Sequence, residues 1–151
     1  MLKRFDRRRV TVEGLDGDLR GWADVEGVRV RIPGALPGDE ALVRIEAVSR
    51  HHPEAWAQLR GLDGDEHVAD RAPACPHAWP LSGKCGGCPG LHVPYALQLQ
   101  AKEQSLGEAL SPLGVEHAWK IRPSPRTVGW RNRTNHVVQR RTGGEIRLGS
   151  R

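Results

Sequence analysis

The sequence predicts a mainly β chain: a small five-stranded barrel, then a cysteine-rich loop, one helix and a β-hairpin. Three observations lead to this class. Apolar and charged residues alternate with a period of two around Val28–Ile32 and Val43–Ala47. Glycine and proline number 18 and 11 among 151 residues, a density that leaves no room for a helical bundle and suits short strands joined by turns. One isolated stretch with helical spacing follows Pro94.

Within the barrel, Val28, Val30 and Ile32 interleave with Arg29 and Arg31, while Val43, Ile45 and Ala47 interleave with Arg44 and Glu46. Each strand therefore has one apolar and one charged face. Asp16-Gly17, Glu26-Gly27, Pro33-Gly34 and Pro37-Gly38-Asp39 mark turns. A further strand, Ala55 to Leu59, follows Pro53. About five short strands before Leu62 fit a barrel of the OB type. That fold hosts many functions and by itself assigns none.

Residues 62–74 hold Arg71 against Asp63, Asp65, Glu66 and Asp70 and read as an acidic linker. It leads to Cys75, Cys85 and Cys88, three thiols within 14 residues. An odd and local set cannot staple a fold, so these residues read as metal ligands before disulfides. Gly86 and Gly87 permit the tight turn that lets Cys85 and Cys88 face one centre. Three thiolates are one short of the four protein ligands common to iron–sulfur clusters and structural zinc. The fourth is His77 or His92 in a zinc site, or a residue beyond Arg151. A redox dithiol of Cys85 and Cys88 is the other reading, and Pro89-Gly90 interrupts the helix start which that chemistry needs.

Pro94 opens the helix, in which Tyr95, Leu99, Leu106 and Leu110 recur at spacings of four and seven and predict a core-facing stripe. Ser111-Pro112-Leu113-Gly114 ends it. Residues 128–148 predict a hairpin turning at Thr142-Gly143-Gly144. Extended from residue 130, that strand places Arg131, Arg133, Asn135, Gln139 and Arg141 on one face and Trp130, Thr134, His136 and Val138 on the other. Residues 112–151 carry nine Lys and Arg against Glu116 and Glu145, whereas the whole chain sums to +5. A local cationic excess interleaved with tryptophan is the footprint of a phosphate-rich partner, so this face is expected to contact RNA or DNA. A merely solvated outer face is the alternative. No run of 18 apolar residues occurs, and the basic start lacks the apolar core of a secretory signal. The expectation is a cytoplasmic protein with no membrane partner.

Taken in order, four of these stretches resemble the N-terminal part of the SAM-dependent RNA (uracil-5-)-methyltransferases. Val10 to Leu62, with Gly21-Trp22-Ala23 and Val30-Arg31-Ile32-Pro33-Gly34-Ala35-Leu36-Pro37-Gly38-Asp39, resembles the family's TRAM domain. Cys85-Gly86-Gly87-Cys88 with His92, Tyr95, Gln98-Leu99 and Lys102 is similar to its cluster segment. Ser124-Pro125 and Gly129-Trp130-Arg131-Asn132-Arg133 resemble its Tyr-Arg-Asn-Arg stretch, with Trp130 in place of tyrosine. Leu148-Gly149 looks like the strand end before the fourth cluster cysteine. Pro89 and Leu91 stand where glutamines are common, and nine residues separate Cys75 from Cys85.

The resemblance implies three segments: an RNA-binding TRAM barrel over 1–62, the linker and metal segment over 63–93, and the start of a central domain over 94–151. It implies that Cys75, Cys85 and Cys88 are three ligands of a 4Fe–4S cluster, the fourth cysteine lying beyond this chain. RNA, as rRNA or tRNA, is the implied partner of a monomeric protein. SAM enters only through a catalytic domain: no glycine-rich loop here follows a strand and opens a helix. These 151 residues are therefore expected to be catalytically silent alone. A stand-alone zinc-binding RNA module is the alternative. Radical-SAM methylthiotransferases also carry TRAM domains, but cysteine spacing and domain order argue against them.

Overall fold

A computed structural model describes residues 1–63, 75, 88–115, 120–129 and 137–149, without the side chains of 147–149. Six strands precede the helix: β1 (Arg7–Thr11), β2 (Gly14–Leu15), β3 (Gly21–Val25), β4 (Val28–Ile32), β5 (Glu40–Val48) and β6 (Glu54–Leu62). They form one sheet in the order β1-β5-β6-β4-β3-β2, curled into a half-barrel. All neighbours are antiparallel except β4 and β6, which run parallel. The mainly β expectation holds. Six strands stand where about five were expected, and β2, a two-residue element, is too short to leave a periodic signal.

The core follows from the alternation. Val30, Ile32, Ala41, Val43, Ile45 and Ala55 are fully buried, and their neighbours Arg29, Leu42, Arg44 and Trp56 lie outside. Ala47 departs from the pattern and is exposed. The register of β5 on β6 shifts between Ile45 and Ala47, and that bulge reverses the side-chain alternation beyond it. At the β3–β4 turn Glu26 and Gly27 both have positive φ, 56° and 78°. This is the backbone of a two-residue hairpin, fixed by the Gly27 amide donating to Asp24 Oδ1 at 2.9 Å.

Helix α1 (Tyr95–Leu110) starts after Pro94, and a short 3-10 turn over Ser111–Leu113 ends at Gly114 with φ of 70°. Its start and stop match the sequence expectation, but its buried face does not. Ala101 is buried with Leu97 packed beside it, in a second core with Leu15, Leu19, Leu36 and Val93, whereas Leu106 is exposed. The physical reason is close approach. A Cβ on Gly17 would stand 2.5 Å from Ser105 Oγ, so the small residues at 101 and 105, not the leucine stripe, meet the barrel loops. Tyr95 instead accepts a hydrogen bond from the Ser124 amide at 2.7 Å, and Glu103 accepts one from the Ile121 amide at 2.7 Å. The segment after residue 120 is thereby tied to the helix at Ile121 and Ser124.

The C-terminal hairpin is present as β7 (Val137–Arg140) paired with β8 (Ile146–Gly149). Gly143 and Gly144 at the turn have positive φ, as the Thr142-Gly143-Gly144 reading expected. Residues 130–136, the first half of the expected strand, lie outside the described residues.

Candidate nucleic-acid interface

The convex face of the sheet carries a set of side chains that the chain's charge balance conceals. Register places Trp56 of β6 beside Arg31 of β4, Arg31 beside Trp22 of β3, and Trp22 beside Gly14 of β2. A parallel row joins Arg7 of β1, Arg44 of β5 and Gln58 of β6. With strands about 4.8 Å apart, the two tryptophans stand roughly 10 Å from each other with one guanidinium between them. Arginines interleaved with aromatic rings are the composition of a surface that binds single-stranded nucleic acid.

Two groups of this row, Arg31 and Trp22, are held by their neighbours. Arg31 donates from Nη1 to Asp16 Oδ2 at 3.0 Å and from Nη2 to Glu54 Oε1 at 2.8 Å. Its Nε is buried without an acceptor, so the fork is spent on two carboxylates. The Glu54 hydrogen bond, ahead of the opposing effect of burial, raises the Arg31 pKa above its usual value. The same hydrogen bond holds the Glu54 carboxyl below the usual range, with desolvation acting against it. Asp16 is itself anchored, because its Oδ1 accepts from the amides of Asp18 and Arg20 at 2.9 and 3.0 Å.

Trp22 is held by its neighbours. The Arg29 guanidinium lies 4.4 Å from its ring centroid. Below it the backbone comes so near that a Cβ at Gly14 would stand 2.8 Å from Trp22 Nε1, so only glycine lets the indole lie there. At the opposite edge the rings and charges repeat. Phe5 is 55% exposed, with Arg4 at 4.5 Å and Arg44 at 5.6 Å from its centroid. Arg44 is steadied by Glu46, which accepts from Nε at 2.7 Å.

Among the described residues, two recesses open on this surface. One of about 180 Å³ lies between the sheet and α1, lined by Asp16, Trp22, Arg29, Gln104, Ser105 and Glu108. The other, of about 350 Å³, is lined by Pro33, Arg44, Glu46, Trp56, Gln58 and Leu59.

Of the residues singled out from sequence, Gln139 and Arg141 are exposed on the hairpin, with Gln139 in register with Arg147. Arg131, Arg133 and Asn135 lie outside the described residues, as does Cys85. Cys75 is half-buried and Cys88 exposed, both as free thiols. Among the described residues no three His, Cys, Asp or Glu side chains stand together as a metal site. The sequence reading did not single out the sheet-face residues Trp22, Arg29, Arg31, Arg44 and Trp56 as candidate contacts. The alternation had already put both β4 arginines outside, but nothing local to β4 or β6 tells that they are neighbours.

Residues 2–55 match the TRAM domain family. Over most of its length the chain is also similar to curated RNA methyltransferases. It is 35% identical over 135 residues to the 23S rRNA (uracil(1939)-C(5))-methyltransferase RlmD of Pseudomonas fluorescens, covering 88% of this chain and 28% of that protein. An uncharacterized RNA methyltransferase of Halalkalibacterium halodurans is 32% identical over 143 residues, covering 91% of this chain and 29% of its own length. Another, from Synechocystis sp., is 29% identical over 143 residues, again covering 29% of its own length. The chain thus spans less than a third of the relatives it matches. Among the described residues no helix is long and apolar enough to cross a membrane. The chain carries a TRAM domain and, by similarity along most of its length, matches the N-terminal part of the RNA (uracil-C5)-methyltransferases.

Proposed function

We propose that this chain is the RNA-recognition portion of an rRNA or tRNA (uracil-5-)-methyltransferase, with the convex sheet face as its principal RNA contact. The observation that carries the reading is the row Trp56, Arg31, Trp22, which places a fixed guanidinium between two indoles on a TRAM barrel. The Arg31 fork is spent on Asp16 and Glu54 and spaces the two indoles, while exposed Arg7 in the next row suits phosphate oxygens and the exposed Trp56 ring suits a base. Residues 1–62 act as the RNA-binding barrel, 63–93 as linker and metal segment, and 94–151 as the start of a central domain. On the hairpin, Arg131, Arg133, Asn135, Gln139 and Arg141 extend the contact along the RNA. Methyl transfer from SAM belongs to the longer protein, and a cytoplasmic location accords with an RNA substrate.

Salt dependence tests the RNA reading. Arg7→Ala and Arg44→Ala are expected each to weaken binding of a single-stranded oligoribonucleotide. Each also lowers the log–log slope of affinity against salt by about 0.7 per lost phosphate contact, and Arg131→Ala and Arg133→Ala do the same on the hairpin. Slopes identical to the unmodified chain in all four variants mean that neither surface meets phosphate.

For the metal, the donor set fits thiolate ligation: two residues separate Cys85 from Cys88, and Cys75 supplies a third sulfur. An iron–sulfur cluster held by these three and a fourth ligand is the reading the resemblance favours, with zinc completed by a histidine as the alternative. Anaerobic purification is expected to yield iron with acid-labile sulfide, lost in Cys88→Ser. One colourless zinc per chain selects the alternative.

A further inference from the structure

We infer that the recess over Trp56 receives one unpaired nucleobase of single-stranded RNA, stacked on the indole with its edge on Gln58. The inference rests on the RNA-binding reading above and names where on that face a base, as opposed to a phosphate, is held. Three features of the recess support it.

The first is the state of the two indoles. Trp22 is occupied: Arg29 covers its ring and the Gly14 backbone lies against its edge. Trp56 is 39% exposed, and no cation sits over its ring among the described residues. An exposed indole costs apolar hydration that a stacked base removes, and every base offers a π-face.

The second is size and lining. The recess measures about 350 Å³, at the lower end of the roughly 300–1,000 Å³ typical of small-ligand sites. Its walls combine Pro33 and Leu59 with the Gln58 amide, which presents both a donor and an acceptor. Strand alternation sets Gln58 two residues from Trp56 on the same face of β6, where an amide can meet the edge of a ring lying on the indole.

The third is charge. Arg44 and Glu46 both line the recess and pair with each other, and Arg7, the register partner of Arg44 on β1, adds a further positive charge beside them. A base on Trp56 leaves its own phosphate toward these arginines, which gives the recess a polynucleotide as occupant over an uncharged ring compound. A duplex cannot use it, because its bases are already stacked.

The test is the affinity of the 151-residue chain for one oligoribonucleotide, single-stranded and annealed to its complement, with Trp56→Ala, Trp56→Phe and Arg7→Ala. Trp56→Ala is expected to weaken single-strand binding by about 5- to 150-fold, the equivalent of one lost stacking contact. It leaves the salt slope and the duplex affinity unchanged, and Trp56→Phe restores most of the loss. Arg7→Ala lowers the slope for both RNAs. Unchanged single-strand affinity in Trp56→Ala, with Arg7→Ala still weakening binding, overturns the recess and leaves the RNA reading standing. Equal losses for duplex and single strand overturn it too, since they mark a generally disturbed face. Absence of RNA binding by the unmodified chain overturns both.

Discussion

Ile45→Ala is expected to destabilise the barrel by about 2–5 kcal/mol, the range for truncating a fully buried isoleucine in a core that relaxes only partly. Ile45 has no exposed surface and lies in the cluster with Val12, Val30, Ile32 and Val43. It also sits at a strand junction. Its amide donates to the Asp6 carbonyl at 2.9 Å and its carbonyl accepts from the Phe5 amide at 2.7 Å, so backbone bonds pin the site and limit collapse into the cavity. A loss of 2 kcal/mol in a cooperative unit of this size lowers Tm by about 8 °C or more. Thermal unfolding followed by circular dichroism reads this directly. Leu113→Ala, at a side chain 74% exposed, serves as the control and is expected to stay within about 0.5 kcal/mol of the unmodified chain. Equal melting temperatures for the two variants rule out a closed core around Ile45.

The residues in that core were legible from sequence because strand burial has a period of two and the turns are written in Gly, Pro and Asp. Val28 to Ile32 and Val43 to Ile45 point as the alternation says, and Glu26-Gly27 turns the chain where it should. Ala47 was misread because a bulge is a property of two paired strands and neither strand encodes it alone. The helix boundaries were legible in Pro94 and Gly114, its buried face was not. Leucine spacing favoured one stripe, but contact was decided by Gly17 meeting Ser105 and by Ala101 filling the space among Leu15, Leu19 and Leu36.

The site was less legible than the fold for a related reason. Charge counting drew attention to the C-terminal quarter, where cations outnumber acids in sequence. In the first 61 residues 11 basic and 10 acidic groups nearly cancel, and folding sorts them by face. Trp22 and Arg31 meet across the β3–β4 hairpin, but Trp56, 25 positions beyond Arg31, joins them only through the parallel pairing of β4 with β6. No local window contains that register. What the sequence did carry was the family resemblance, which set the expectation of an RNA-binding barrel before any side chain could be placed.

Arg31→Met is expected to lower stability most at neutral pH, with the deficit shrinking as the solution is acidified below about pH 4. In the native barrel the hydrogen bond from Arg31 holds the Glu54 carboxyl below its usual range. A group whose folded pKa is lowered binds fewer protons folded than unfolded. Its contribution is therefore complete above the unfolded value of about 4.3 and is lost as pH falls through the folded one. The raised pKa of Arg31 adds stability at every pH below the guanidinium range, so it sets no slope in accessible solutions. Methionine keeps the stem volume and removes the fork. At pH 7 Asp16 and Glu54, with side chains 12% and 32% exposed, then face each other across β4 with no cation between them. Solvent screens the more exposed Glu54, which limits the loss at neutral pH. Below pH 4 protonation takes from the native barrel the interaction that the variant already lacks, and the two curves converge. Urea titrations of both chains at pH 7 and pH 3.5 measure the convergence, and a pH-independent gap shows that Arg31 contributes packing alone. The same variant leaves two carboxylates between Trp22 and Trp56, so its single-stranded RNA affinity at neutral pH falls below that of the native chain.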